Sequence, residues 1–381
     1  MHNTLRYTIL HNLALCNAAL GDYTKARALL KAVMDDEQKY LGPSSIFLAW
    51  TLCSLAKVDL EEGTPDAVKA INSTYDRVIE LLETANLDET SPETCQAMMG
   101  ISNFFLKIGR YSDAEQLLHQ LLTINEKRPD SPVVAHAREL LGRCYLEEGK
   151  IKEARVELNQ VLKILEAIHK NTFLTLPQTA SIWNELGRSY VLEANEAKNS
   201  AQRTRLALEA VRLLRKALEL QTRSVGQQHR DIIYTTRNLA QAYELAGNHA
   251  QAMHYLKQAL TVGESIAPDH PVHAETLALS ANLYLNRGDY DKAENEAVEA
   301  LRILSRNISV NSRTINEVLV LLGIIELKHG IPESQVRRHI LLLFKQKLGE
   351  DNPITAYWRK VCSTPTPAKG PKQKATPHIS R

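Results

Sequence analysis

The sequence predicts an all-α fold, an α-solenoid of about eight antiparallel helix pairs. The chain has 381 residues, of which 44% are hydrophobic and 24% charged, and this composition is typical of a globular protein. A Gly-x-x-x-x-Ala step recurs along the chain, and each copy lies between two short amphipathic stretches. Residues 238–259 are the clearest copy: Gly247 ends the first helix, and Ala252 packs inside the second.

The spacing of this step sets the number of repeats. The complete copies are Gly21/Ala26, Gly109/Ala114, Gly149/Ala154, Gly247/Ala252 and Gly288/Ala293, and the weaker copies are Gly63/Val68 and Gly330/Gln335. Successive glycines are about 42 residues apart, except for a gap of about twice that length after Gly149. Within this gap, residues 183–190 match a first helix and residues 208–217 match a second. The gap therefore holds an eighth pair, with an insertion at about residues 195–205 that extends both helices.

The residues that recur in each copy of the repeat have physical roles. A small residue seven positions before the glycine lets the two helices of a pair approach closely: Ala14, Ser102, Gly142, Gly187, Ala240 and Ala281. An aromatic residue four positions before it fills the adjacent space: Phe105, Tyr145, Tyr190, Tyr243 and Tyr284. The glycine takes the left-handed conformation that ends the helix. We therefore expect first helices to end near residues 21, 63, 109, 149, 194, 247, 288 and 330.

These offsets resemble the tetratricopeptide repeat (TPR). The period of about 42 residues, the linker at residues 267–271 and the Asn238-Leu239-Ala240 tripeptide are similar to the kinesin light chain subtype. The resemblance covers roughly residues 4–360. It implies a right-handed superhelix in which the first helices line a concave face. The chain lacks the heptad coiled coil with which a kinesin light chain would bind a motor heavy chain, so that role is not carried over.

The two ends of the predicted solenoid, residues 1–362, differ. Leu5, Ile9 and Leu13 form an apolar side of the first helix that no preceding helix covers, so this helix is less stable, or a partner covers it, or a longer form exists. At the other end, residues 353–362 predict a capping helix with Trp358 packed beneath it. Residues 363–381 are rich in Pro and Lys and predict a disordered basic tail.

Several function classes lack support in the sequence. A net charge of +2 gives no reason to expect nucleic acid, and no apolar run is long enough to span a membrane. Catalytic and phosphate-binding motifs are absent, so we expect no enzyme, cofactor or metal site, and we interpret His270 and His273 as linker residues. Five dispersed cysteines indicate a reducing, cytoplasmic setting, and we expect Cys16 and Cys144 to be core thiols.

The concave face offers the best candidate site. The resemblance places the residue six positions before each repeat glycine on this face: Leu15, Lys57, Asn103, Arg143, Arg188, Gln241, Asn282 and Ile324. The middle six are polar and none is acidic. Neighbouring offsets add Lys107, Asn184, Arg237 and Asn238, opposed by Glu139 and Glu185. Amides can pair with a peptide backbone and arginines with carboxylates, so this set predicts a groove for an extended, acidic peptide.

Two interpretations of function stay open. The first is a scaffold or adaptor without catalytic activity that holds a protein partner through a linear segment in the groove. The second is a structural subunit of a ciliary, cytoskeletal or transport assembly, which uses the convex face and the uncovered N-terminal repeat, also for self-association. In both interpretations, Glu139 and Glu185 could neutralise Arg143 and Arg188 within the protein, which would leave ordinary solvated helix faces.

Overall fold

A computed structural model describes residues 2–19, 22–42, 44–62, 67–85, 91–170, 177–266, 268–307, 313–350 and 352–363. These residues form seventeen α-helices and no strand. The helices are α1 (His2–Ala19), α2 (Tyr23–Tyr40), α3 (Ile46–Glu62), α4 (Ala67–Thr84), α5 (Pro92–Lys107), α6 (Tyr111–Ile124), α7 (Pro132–Glu147), α8 (Ile151–His169), α9 (Pro177–Glu196), α10 (Ser200–Val225), α11 (Arg230–Leu245), α12 (His249–Ile266), α13 (Pro271–Asn286), α14 (Tyr290–Asn307), α15 (Arg313–Lys328), α16 (Glu333–Lys347) and α17 (Pro353–Ser363).

The first sixteen helices form eight consecutive pairs, which confirms the predicted all-α solenoid. Each first helix, from α1 to α13, also contacts the first helix of the following pair, whereas the second helices of successive pairs make no comparable contact in the described residues. Helices on the inner side of a curve lie closer together than those outside. The first helices therefore form the inner, concave layer.

The chain winds far enough for distant pairs to meet. Helix α3 contacts α14, which lies five pairs later in the chain. The superhelix therefore closes a turn between the second and the seventh pair. The inner faces of the intervening first helices line the space that this turn surrounds.

The longest helices, α9 and α10, belong to the pair assigned to the double-length gap. Helix α9 ends at Glu196 and α10 begins at Ser200, so the segment at about residues 195–205 consists of the end of one helix and the start of the next. Asn199 caps α10 by accepting from the backbone amide of Ala201 at 2.8 Å.

Close helix packing explains the glycine seven positions before the turn in the α7/α8 and α9/α10 pairs. A Cβ atom on Gly187 would lie 2.5 Å from Cγ of Leu214 on the paired helix, and one on Gly142 would lie 2.8 Å from Cγ of Leu158. The equivalent Ala240 is fully buried. The predicted contact is confirmed, and the helix-ending residue Gly247 has the expected positive φ of 79°.

The two ends of the array differ, as the sequence predicts, for those residues whose side chains the structure describes. On α1, Ile9 and Leu13 are 58% and 47% exposed, whereas the side chain of Leu5 lies outside the described residues. Helix α17 packs on α16 and α14, with Trp358 edge-on to Phe344 and its indole donating to the carbonyl of Arg337 at 2.9 Å. The predicted tail lies outside the described residues after Ser363.

The cysteines partly correct the sequence interpretation. Cys144 is buried and burial raises the pKa of its thiol to about 12, in agreement with a core thiol. Cys16 is exposed, so its assignment to the core was wrong. Cys16 lies on α1, the first helix of the described array.

Candidate peptide-binding face

The residues six positions before the repeat turns lie on one side of the inner helices. Asn103, Arg143, Arg188 and Gln241 are partly exposed, and the residues directly before and after each of them in the chain are buried. Asn282 is exposed between buried Ala281 and Leu283. This pattern is that of a helix whose one open stripe faces the concave side.

Arg188 is held inside the protein by carboxylates from two inner helices. Its Nη2 lies 2.5 Å from Oε1 of Glu147 on α7, and its Nη1 lies 3.5 Å from Oε2 of Glu185 on α9. Burial alone would lower the pKa of Arg188, but Glu147, Glu185 and Glu275 outweigh burial and raise the pKa above its ordinary value. The positive charge of Arg188 is therefore neutralised within the protein, in part by Glu185, which the sequence analysis named as a possible partner.

Arg237 is neutralised in the same way one pair further on. Its guanidinium is ion-paired with Glu275 on α13 and lies over the ring of Tyr234, 5.6 Å from the centroid. Burial and then Glu275 raise the pKa of Tyr234 to about 12, although Arg237 and Arg143 act in the opposite direction. The four inner helices α7, α9, α11 and α13 thus share one network of charged side chains.

Asn184 and Asn238 lie beneath the open stripe. Both side chains are buried, and Nδ2 of Asn238 donates to Oδ1 of Asn184 at 3.2 Å. The pair links α9 to α11 across the groove floor, since each amide satisfies part of the other's hydrogen-bonding capacity. Their placement makes them supports of the face, and not groups that project from it.

Arg143 is the cation of this network that keeps its charge available. In the described part of the chain, its guanidinium has neither a hydrogen-bond partner nor an ion-pair partner. Glu139, the expected neutralising residue, instead accepts from Nε2 of Gln178 at 3.1 Å and from the hydroxyl of Ser181 at 3.0 Å. One unpaired positive charge therefore lies among balanced pairs.

Three amide side chains and one lysine complete the stripe. Asn103 and Gln241 also have no hydrogen-bond partner among the described residues, so their amides are available to a ligand backbone. Asn282 accepts from Nδ2 of Asn286 at 3.4 Å, and Lys107 is exposed at the end of α5. The polar part of the face runs from α5 to α13.

The face becomes apolar on α15. Val320, Ile324 and Leu327 are 64%, 41% and 48% exposed and lie on one side of this helix at spacings of four and three residues. Ile324 is the residue that the register places on the concave side. The open stripe thus has a polar middle and an apolar C-terminal end.

Sequence reasoning missed Glu147, Tyr234 and Glu275. Tyr234 and Glu275 each lie seven residues before a register position, Gln241 and Asn282, and Glu147 lies four residues after Arg143. Spacings of four and seven residues return to the same helix face. Extending the register along the whole stripe would have found them.

The linker histidines do not form a metal pair. Nδ1 of His270 accepts from the amide of Val272 at 3.1 Å, and its Nε2 lies 3.1 Å from Nη1 of Arg230. His273 is buried and its pKa is lowered by burial. His270 is the N-cap of α13, whereas His273 lies within this helix and not in a linker.

Comparison with known proteins agrees with this geometry. A family model described as tetratricopeptide repeat matches residues 5–77, 93–167 and 193–265, which is more than half of the chain, and a second model of that description matches residues 237–307. None of the described helices has the length and apolar character needed to cross a membrane.

Solved structures share the architecture. A Rap protein complexed with Competence and Sporulation Factor has a TM-score of 0.56 at 13% identity, covering 93% of this chain and 96% of its own. The apo form of RapI has a TM-score of 0.52 at 12% identity, covering 79% and 98%. Kinesin light chain TPR-like repeats of Podosopora anserina match at 23% identity with a TM-score of 0.42, covering 57% and 98%. The two Rap structures, with TM-scores above 0.5 at 12% and 13% identity, are similar to this chain in fold alone.

Proposed function

Because this chain belongs to the tetratricopeptide repeat family, we propose that it is an interaction scaffold whose concave face holds an extended peptide segment of a protein partner. The family generally serves protein–protein interaction. The finer proposal is that the segment carries a carboxylate that pairs with Arg143. No catalytic role is part of it.

The observation that carries this proposal is the unpaired guanidinium of Arg143 between two unpaired amides. Arg143 lies on α7, Asn103 on α5 and Gln241 on α11, all at the same register position of the inner layer. A guanidinium prefers a carboxylate through forked hydrogen bonds, and side-chain amides can donate to and accept from a peptide backbone. Together these groups suit an extended chain with one acidic residue.

The charges of the neighbouring residues limit how acidic the segment is. Arg188 and Arg237 already have carboxylate partners in Glu147, Glu185 and Glu275. A ligand would gain little from a second carboxylate there, because it would have to displace an existing pair. The proposed ligand is therefore a segment with a single carboxylate at Arg143, and a strongly acidic tract is not required.

The apolar end of the stripe supports a second contact. Val320, Ile324 and Leu327 would bury apolar side chains of the same segment, which stabilises binding in proportion to the area removed from water. We propose that the ligand carries apolar residues in addition to its carboxylate.

Affinity capture from a cell extract tests the proposal when four chains are compared: the wild type, Arg143→Glu, Arg143→Gln and Lys152→Glu. Lys152 is exposed on α8, the second helix of the same pair, and makes no side-chain contact in the described residues. We expect Lys152→Glu to retain the partners and both Arg143 variants to lose a common set. Equal capture by all four chains would contradict the proposal.

A structural subunit remains the second candidate because of α1. Exposed Ile9 and Leu13 leave an apolar surface on the first helix, as an interface with another subunit or a second copy would need. Ile9→Ser with Leu13→Ser should then abolish assembly, while Arg143→Glu leaves it unchanged. A cytoplasmic location, with a cytoskeletal or ciliary assembly, is the setting that we propose for either function.

A further inference from the structure

A cluster of acidic and histidine side chains lies where α14, α15 and α16 meet. Glu294 on α14, Glu326 on α15 and His329 in the turn directly after α15 each offer one ligand atom, and these atoms all lie within 4.8 Å of one another. His339 on α16 adds its Nδ1 at 2.5 Å from Oε2 of Glu326. Two carboxylates and two imidazoles thus converge from three helices.

Glu326 is the member of this cluster that is fully buried without a hydrogen-bond partner. It is 0% exposed, and neither of its carboxylate oxygens has a hydrogen-bond partner. Nδ1 of His339 is close to it but outside hydrogen-bond geometry and is itself unsatisfied. Because a buried carboxylate without hydrogen bonds is costly, this arrangement calls for a cation among these side chains.

The second carboxylate adds to the negative charge. Nδ1 of His329 lies 3.5 Å from Oε2 of Glu294. The ligand atoms of Glu294 and Glu326 lie within 4.8 Å of each other, so the negative charges of the two carboxylates repel. One multivalent cation between the two carboxylates would offset the negative charge of both.

The spacing and the outer contacts are those of a metal ligand set. Glu326 lies near the end of α15 and His329, three residues later, lies directly after it, which is the Glu-x-x-His spacing with which helical bundles present two ligands to one ion. Nε2 of His329 lies 3.4 Å from Oδ1 of Asp291. A carboxylate at the far ring nitrogen fixes the tautomer that leaves Nδ1 as the ligand atom.

We propose that Glu294, Glu326, His329 and His339 form a binding site for a divalent transition metal ion of the Zn²⁺ class. Mixed imidazole and carboxylate ligands suit Zn²⁺ better than Mg²⁺ or Ca²⁺, which prefer oxygen. Zn²⁺ ligands lie at about 2.0–2.2 Å from the ion, so the ligand atoms of Glu294, Glu326 and His329, within 4.8 Å of one another, must close slightly around it. Nδ1 of His339, 2.5 Å from Glu326, must move apart to admit the ion.

The ion would fasten the last helix pair to the array. Helix α16 buries only Ile340, Leu343 and Phe344, whereas α7 buries nine residues. Ligands from α14, α15 and α16 would join these helices through the ion and add to this limited apolar packing. Bound Zn²⁺ should therefore raise the thermal midpoint of the chain, and Mg²⁺ should not.

Calorimetric titration of the full chain with Zn²⁺ tests the site. We expect one ion per chain for the wild type, loss of this binding in Glu326→Gln and in His329→Ala, and an affinity about tenfold lower in Asp291→Asn. Co²⁺ provides an independent measurement, because its visible absorption should change when His329 is removed. Circular dichroism confirms that each variant folds, and His329→Ala, directly after α15, keeps the test valid if Glu326→Gln does not fold.

His249→Ala is the matched control. His249 is an exposed histidine with one carboxylate, Glu244, 2.9 Å from its Nδ1, and it lies outside the cluster. This variant should bind Zn²⁺ like the wild type. Absence of binding to the folded wild type, or equal binding by the wild type and His329→Ala, would overturn the proposal and leave a buried Glu326–His339 ion pair as the role of these residues.

Discussion

Nη2 of Arg188 on α9 lies 2.5 Å from Oε1 of Glu147 on α7, so an ion pair joins two neighbouring inner helices. The side chains are 25% and 36% exposed, and solvent therefore screens part of the attraction. The pair contributes to the curvature of the array and removes one positive charge from the concave face. Two consequences can be measured.

Glu147→Gln should lower the free energy of unfolding by about 1 kcal/mol, and by less at high salt. It should also strengthen binding of an acidic segment, because Arg188 then retains only Glu185 at 3.5 Å. Urea unfolding and a binding titration measure the two effects. Glu219→Gln, which removes the exposed pair with Arg223, is the control and should change neither quantity. Unchanged stability and affinity in Glu147→Gln would show that the pair contributes nothing.

Two glycines within first helices should respond oppositely to alanine. A Cβ on Gly187 would lie 2.5 Å from Leu214, whereas one on Gly323 meets nothing within 4 Å. We expect Gly187→Ala to destabilise the fold by about 1–3 kcal/mol through overpacking. Gly323→Ala should stabilise it by roughly 0.5–1 kcal/mol, since alanine favours the helix.

Urea midpoints distinguish the two outcomes, and Leu214→Ala should cost less in the Gly187→Ala background than in the wild type, because it also relieves the overlap. If both glycine variants are stabilised equally, helix propensity alone decides and the close contact between α9 and α10 is not limiting.

Glu37 should make stability depend on pH. Burial raises the pKa of this carboxyl from 4.5 to about 7, and its Oε2 has no hydrogen-bond partner. The folded state therefore holds the proton more tightly, and the contribution of Glu37 to stability falls as the pH rises from about 4.5 through about 7.

Glu37→Gln removes this ionisation, so it should gain roughly 2–3 kcal/mol relative to the wild type between pH 5 and pH 8. Urea unfolding of both chains at these two pH values measures the gain. A difference between the chains that does not change with pH would mean that the Glu37 carboxyl is solvated in the folded state.

The fold could be predicted from sequence because its determinants are local and repeated. Gly247 ends a helix, and Ala240, seven residues earlier, allows the close contact of the pair. Because the same pattern recurs at a regular spacing, the position of the α9/α10 pair, which has no repeat glycine, could be inferred from the other copies.

The inner face was predictable only in part. The register places Arg143 and Arg188 at positions that are partly exposed between buried neighbours, but their ion pairing depends on residues that differ from copy to copy. Glu139 could reach either Arg143 or the next helix, and it pairs with Gln178 and Ser181. Helix geometry fixes which side a residue faces, whereas the choice of partner depends on side-chain conformations across helices that no repeat pattern encodes.

The most direct measurement is a double-mutant cycle between Arg143 and the carboxylate of the captured segment. The wild type and Arg143→Gln are each titrated with the segment and with its amide analogue, and fluorescence anisotropy gives four dissociation constants. We predict a coupling energy of about 1.5–3 kcal/mol, the range for a charge-assisted hydrogen bond. Additive effects, with a coupling energy of about zero, would contradict recognition of the ligand carboxylate by Arg143.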